Sequence, residues 1–323
     1  MTPPIRIVFL DRDTLADSVT LKAIPFGHEL VVFARTSPEQ VAERIASADI
    51  VITNKVALRR EHLAQAPHLR LIAIAATGSD NIDLAAAREQ GITVSNIRDY
   101  AVRSVPEHVF ALIFALRRNI TAYRQSVRDG RWQQSGQFCY FDYPIRDLAG
   151  STLGLIGSGS LGQAVAALGR ALGMKVVFAQ RRGQAQAAGE PERLPFEQVL
   201  AQADILSLHC PLTPDTQNLL GLEEFRLMAP RRPLLINTAR GGLIDNQALE
   251  QALRQGWLGG AGIDVCVPEP PPADHILMRL LELPNYILTP HIAWASEQSM
   301  QALADQLIDT IAAFHDGAPR NLL

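Results

Sequence analysis

The sequence predicts two doubly wound α/β domains in one chain. Short β-branched runs alternate with amphipathic stretches from one end to the other. These runs are apolar without alternation, as suits strands covered on both faces of a parallel sheet. The length, 323 residues, is more than one core usually organises, and a hydrophobic content of 47% can fill two.

In chain order, strands are expected at Ile5–Leu10, Leu30–Ala34, Asp49–Asn54, Leu69–Ala75 and Thr93–Asn96, with helical patterns at Pro38–Ala48 and Arg60–Ala66. Together they form one α/β unit. A long helix is expected from Ser104 to Arg128, its apolar face carried by Val109, Leu112, Ile113 and Leu116. Gly130–Asp147 then turns polar and aromatic, without a period. It reads equally as a surface loop and as an arm reaching a partner subunit, where aromatic side chains are enriched. A second strand series follows at Thr152–Ile156, Lys175–Ala179, Ile205–His209, Leu234–Thr238, Ala261–Val265 and Ile287–Thr289. Six such strands with helices between them fit a dinucleotide-binding domain. A closing helix, Glu297–Phe314, is expected to return to the first domain, which is then discontinuous: 1–101 plus 293–323, against 102–292 for the second.

Composition excludes several classes of function. A net charge of −3 gives no basic field for nucleic acid or an anionic membrane. Cys139, Cys210 and Cys266 are odd in number and lack CxxC spacing, as expected of reduced thiols in a cytoplasmic protein. No signal peptide is expected at the start, and no apolar run approaches the roughly 20 residues of a membrane helix. The eight histidines show no metal-ligand spacing, so no metal is expected. His28, His62, His68, His108, His209, His275 and His315 are expected to be structural, His108 merely opening the long helix.

Gly157-Ser158-Gly159-Ser160-Leu161-Gly162 is a GxGxxG sequence placed after a strand and before the helical Gln163–Leu172, the setting in which this spacing holds a dinucleotide. The first glycine allows the turn, the second the approach of a pyrophosphate, and the third close helix–strand packing. The helix N-terminus adds unpaired N–H groups and a positive dipole end. About 20 residues on, where an acidic residue would meet the adenosine ribose, the chain has Gln180-Arg181-Arg182. A neutral Gln180 does not repel a 2′-phosphate, and arginines can pair with one, so NADP(H) is favoured over NAD(H).

Three later strand ends carry Arg240, Glu269 and His291. Singly they could be a surface charge, part of a Pro-rich loop and a turn histidine. Together they offer a cation, a carboxylate and an acid/base group beside a nicotinamide site, as reduction of a keto acid requires. Ala76-Thr77-Gly78-Ser79-Asp80-Asn81-Ile82-Asp83, Gly157–Gly162, Asn237–Gly242, Gly262-Ile263-Asp264-Val265 and Thr289-Pro290-His291, in this order, resemble the D-isomer-specific 2-hydroxyacid dehydrogenase family over essentially the whole chain. Ile52–Lys55, Phe141–Arg146 and His291–Trp294 look most like its glycerate dehydrogenase (hydroxypyruvate reductase) branch.

The resemblance implies a flavodoxin-like substrate domain and a Rossmann cofactor domain, with the active site in the cleft. It implies a homodimer embraced by the 130–147 arm, and reversible NAD(P)H reduction of hydroxypyruvate or glyoxylate to the D-2-hydroxy acid. Arg240 would bind the substrate carboxylate, helped by Thr77 and Gly78. His291 would protonate the forming alkoxide, with Glu269 orienting its ring. Asp264 would face the nicotinamide, Thr238 and Ala239 would line its pocket, and Cys210, Pro211 and Thr216 would flank the cofactor. Gln180 departs from NAD-using relatives, which carry an acidic residue there. A phosphite dehydrogenase on the same scaffold and a non-catalytic, dinucleotide-sensing corepressor-like protein remain alternatives.

Overall fold

The computed structural model describes residues 4–184 and 192–323. The chain forms two compact units, one of the described residues up to Tyr100 with Ala295–Leu323, the other of Ala101–Trp294.

In the first unit, β1 (Ile5–Phe9), β2 (His28–Val32), β3 (Ile50–Thr53), β4 (Leu71–Ile74) and β5 (Thr93–Ser95) form a parallel sheet of order β2-β1-β3-β4-β5. This is the flavodoxin-like order. β3 and β4 are buried at every position, which is why their sequences, IVIT and LIAI, show no alternation. The closing helix, Glu297–His315, packs on β4 through a stripe that includes Leu303, Leu307 and Ile311 at i, i+4 spacing. Ser296 caps it by accepting the Ser299 N–H at 3.1 Å.

The second unit holds β6 (Thr152–Ile156), β7 (Lys175–Ala179), β8 (Arg193–Leu194), β9 (Ile205–Leu208), β10 (Leu234–Asn237), β11 (Gly260–Ile263) and β12 (Tyr286–Leu288). All pair in parallel, in the order β12-β11-β10-β9-β6-β7-β8. The seventh strand was not expected. β8 is two residues long, and it lies beside β7 through backbone bonds that the Phe178 and Gln180 N–H groups donate to Glu192 and Leu194. The order reverses next to β6, and such a switch point opens a crevice at the carboxyl ends of the strands.

The expected single helix from Ser104 to Arg128 is two helices, Ser104–Arg117 and Ile120–Arg128. Asn119, at φ +51°, separates them in the left-handed region that Asn tolerates better than most residues. Its Nδ2 donates to the Pro144 carbonyl at 2.6 Å. The 130–147 stretch is less irregular than its sequence suggests, since it contains a short helix, Arg131–Ser135. Tyr123 Oη donates to the Tyr143 carbonyl at 2.8 Å, and Arg131 pairs with Asp142 at 2.7 Å. Phe138 and Phe141 remain 88% and 82% exposed.

Candidate active site

The predicted site residues of the second unit follow the carboxyl ends of neighbouring strands: the glycine loop after β6, Gln180 after β7, Cys210 and Pro211 after β9, Thr238–Arg240 after β10, Asp264 after β11 and His291 after β12. Gly157 takes φ +109°, and a side chain there would overlap the His209 carbonyl, so the turn tolerates only glycine. A Cβ at Gly159, by contrast, would stand in open space. That space lies at the N-terminus of the 12-residue helix Ser160–Ala171, whose first N–H groups have no intrahelical acceptor. At the neighbouring strand ends, the buried Gln180 Oε1 and Thr238 Oγ1 have no hydrogen-bond partner among the described residues. An open cradle at a helix N-terminus and orphaned polar atoms beside it fit a bound dinucleotide.

Two arginines alter the expected cofactor contacts. Arg181 and Arg182 are both exposed, but Arg182 is not left waiting for a phosphate. It pairs with Glu224 and lies over the Phe196 ring, 5.2 Å from its centroid. Sequence reasoning missed Arg193, whose Nη2 donates to Ser158 Oγ at 2.7 Å and sets a cation beside the glycine loop. It belongs to a two-residue strand that carries no periodic signal.

Thr216 Oγ1 donates to the Pro211 carbonyl at 2.8 Å and accepts from the Thr213 N–H at 2.7 Å, closing the turn after Cys210. His209 lies close to Ser207, its Nε2 2.8 Å from Ser207 Oγ, and desolvation pushes its pKa down from 6.5 to about 4. The sign follows from proton uptake. Below pH 6.5 the unfolded chain takes a proton that folded His209 refuses, so stability is lost as pH falls. A shift of that size is worth about 3 kcal/mol. In urea unfolding, a His209→Gln variant is therefore expected to lose less stability than wild type between pH 7 and pH 4.5. Equal losses would mean that His209 does not refuse the proton.

Arg240 stands in a turn tied by Asn237, whose Nδ2 donates to the Arg240 carbonyl at 2.9 Å and whose Oδ1 accepts the Ala239 N–H at 3.0 Å. Arg240 Nη1 donates to the Ala239 carbonyl at 2.7 Å. A Cβ on Gly241 would overlap the backbone of Cys266, so this turn packs main chain to main chain on the loop after β11. In that loop the Cys266 N–H donates to Glu269 Oε1 at 2.9 Å, and Glu269 Oε2 meets His291 Nδ1 at 2.7 Å. The carboxylate fixes the ring, so that Nε2 is the nitrogen left to exchange a proton. Both members are partly exposed, with side chains 34% and 22% accessible. Burial raises the pKa values of Cys210 and Cys266 to about 11, the latter helped by Glu269, which favours the thiol form at neutral pH.

Asp264 differs from its expected role. Its side chain is fully buried and turned to its own scaffold. It accepts from Thr289 Oγ1 at 2.5 Å and from the Ile292 and Ala293 N–H groups at 2.9 Å each. His108, expected only to open a helix, has Nε2 3.1 Å from Thr289 Oγ1. Four other histidines make local contacts: His28 Nδ1 lies 2.7 Å from the Phe26 carbonyl, His62 Nδ1 accepts the Arg59 N–H, His275 caps a helix, and His315 stacks on Phe26.

Thr77 and Gly78 belong to the first unit, following β4. Thr77 Oγ1 donates to the Ile97 carbonyl and Asn96 Nδ2 to the Thr77 carbonyl, both at 2.7 Å. In the same unit the buried Asp11 carboxylate gathers the N–H groups of Asn54, Lys55 and Val56. Burial raises its pKa above 3.8 despite those donors.

Residues 110–293 match the family model described as D-isomer specific 2-hydroxyacid dehydrogenase, NAD binding domain. The chain belongs to the D-isomer specific 2-hydroxyacid dehydrogenase family. It is 51% identical to the glycerate dehydrogenase of Methylorubrum extorquens, over 98% of each chain. Among solved structures it resembles the D-lactate dehydrogenase of Aquifex aeolicus complexed with NAD and lactic acid, with a TM-score of 0.81 and 28% identity over 97% of this chain and 96% of that one. It also resembles an NADPH-dependent glyoxylate/hydroxypyruvate reductase of Sinorhizobium meliloti in complex with citrate, with a TM-score of 0.81 and 26% identity over 99% and 97%. As a 2-hydroxyacid dehydrogenase, the chain is an NAD(P)-dependent oxidoreductase of small keto and hydroxy acids. Among the described residues no three His, Cys, Asp or Glu side chains are grouped to hold a metal, and no helix is long and apolar enough to cross a membrane.

Proposed function

We propose that this enzyme reduces hydroxypyruvate, and with it glyoxylate, to the D-2-hydroxy acid in a reversible reaction. The observation that carries this reading is the Glu269–His291 pair, an acid/base dyad among strand ends shared with a dinucleotide cradle. The 51% identity to a glycerate dehydrogenase supports the choice of substrate.

In this reading Arg240 grips the substrate carboxylate through its planar fork. His291 Nε2 donates a hydrogen bond to the keto oxygen and passes its proton to that oxygen as negative charge develops there. Glu269 keeps the ring in register and balances the imidazolium before transfer. The bound nicotinamide supplies the hydride. In the reverse direction the same imidazole takes the hydroxyl proton, so one residue serves both.

Formate oxidation needs no proton at a carbonyl and would leave the dyad unused. Phosphite oxidation and dinucleotide sensing without turnover are outcomes of the test. It compares kcat/KM for hydroxypyruvate, glyoxylate, pyruvate and phosphite on one purified sample. Hydroxypyruvate is expected to lead. No turnover of any keto acid would sink the proposal, and turnover of phosphite alone would replace it.

Both cofactors fit, and the neutral Gln180 favours NADP(H), a preference that Glu224 tempers by drawing Arg182 away. Gln180→Asp is expected to lower the NADPH-to-NADH efficiency ratio about five- to thirtyfold, because a carboxylate repels the 2′-phosphate (about 1–2 kcal/mol). An unchanged ratio in paired initial-rate assays would remove Gln180 from cofactor choice. We further propose a cytoplasmic homodimer. The exposed Phe138 and Phe141 give the arm the aromatic surface that subunit interfaces favour.

A further inference from the structure

The segment Thr289–Ala293 holds His291 at φ +55°, a conformation uncommon for a residue with a side chain of this size. Something must over-determine the backbone there. One face of the hold is Asp264, which accepts from Thr289 Oγ1, Ile292 N–H and Ala293 N–H, while its carbonyl accepts the His291 N–H at 2.8 Å. The other face is the helix Ser104–Arg117. Ser104 Oγ donates to the Ala293 carbonyl at 2.5 Å, and His108 Nε2 meets Thr289 Oγ1 at 3.1 Å. Four residues apart, Ser104 and His108 project from one side of that helix, and their partners, Ala293 and Thr289, bracket His291 in sequence.

Hydrogen-bond direction follows from donor counting. The Thr289 hydroxyl has one hydrogen and spends it on the Asp264 carboxylate at 2.5 Å. The contact from His108 must then run the other way, Nε2–H to a lone pair of Thr289 Oγ1. In this contact Nε2 is therefore a nitrogen of the His108 ring that carries a hydrogen. His108 orders Thr289, Thr289 completes the donors around Asp264, and Asp264 fixes both amides that follow His291.

We propose that His108 and Ser104 are positioning residues for His291, forming a clamp whose purpose is the aim of the imidazole. This rests on His291 as the proton donor, so a His291→Gln variant is assayed in parallel: if it keeps wild-type turnover, the reading of His291 fails, not the clamp alone. Given that His291→Gln is impaired, His108→Phe is expected to lower kcat about tenfold with KM for hydroxypyruvate and Kd for NADPH little changed, since small misplacements of a reacting group cost that much or more. His108→Gln, whose Nε2 can donate from a similar reach, is expected to recover most of the loss. The double variant His108→Phe/Thr289→Val is expected to be no slower than Thr289→Val, because both substitutions break one chain of bonds. An unchanged kcat in His108→Phe, a multiplicative double variant, or no recovery by Gln would each overturn the clamp. Should His108→Phe not fold, Ser104→Ala decides: a lowered kcat at unchanged KM supports the proposal, and wild-type kcat overturns it.

Discussion

Replacing His291 with Gln is expected to lower kcat for keto-acid reduction by about 10³-fold while leaving NADPH affinity near its wild-type value. Gln keeps much of the size and a hydrogen-bond donor but has no proton to give, and a positioned general acid contributes roughly 10²–10⁴ in rate. The loss belongs in kcat, because proton transfer occurs only in the transition state. Glu269 Oε2 sits 2.7 Å from Nδ1, so Glu269→Gln is a graded companion. It keeps an oxygen to accept from Nδ1–H but removes the charge that balances the imidazolium. A His291→Gln enzyme with wild-type kcat, measured with chemistry rate-limiting, would take His291 out of the mechanism.

Arg240→Ala is expected to cost kcat/KM for hydroxypyruvate about 10³-fold, the scale of losing one partner of a desolvated charge pair. Arg240→Lys is expected to recover only part of it, because an ammonium cannot present two parallel donors to a carboxylate. Unlike the histidine variant, this one should raise KM as well as lower kcat, since the carboxylate is held in the ground state too. Cofactor affinity should change little. A kcat/KM within threefold of wild type would mean that another group holds the carboxylate.

How far the sequence revealed this depends on how local the governing physics is. Gly157–Gly162 was legible because a tight turn, an open cradle and a helix start follow one another within six residues. The β3 and β4 runs were legible because burial on both faces leaves no polar alternation. The break at Asn119 was not, since the apolar stripe approaching it shows no change of period and one left-handed residue ends the helix. Glu269 and His291 could be paired only through family resemblance, being 22 positions apart. His108 and Thr289 are 181 positions apart, and nothing near either residue marks their contact. Asp264 was recognised as part of a motif but given the wrong outlook, because a motif does not say which way a carboxylate turns. Arg193 was invisible for the same kind of reason: only the pairing of β8 with β7 brings it to the glycine loop.

The central claim is that His291 hands a proton to the keto oxygen as hydride arrives, giving the D-alcohol. The most direct test is single-turnover oxidation of enzyme-bound NADPH by hydroxypyruvate, in wild type and in His291→Gln, in H2O and in D2O, with chiral analysis of the product. Wild type is expected to turn over more slowly in D2O, His291→Gln to be about 10³-fold slower than wild type, and the product to be D-glycerate. A wild-type rate equal in the two solvents, a His291→Gln rate near wild type, or L-glycerate would contradict it.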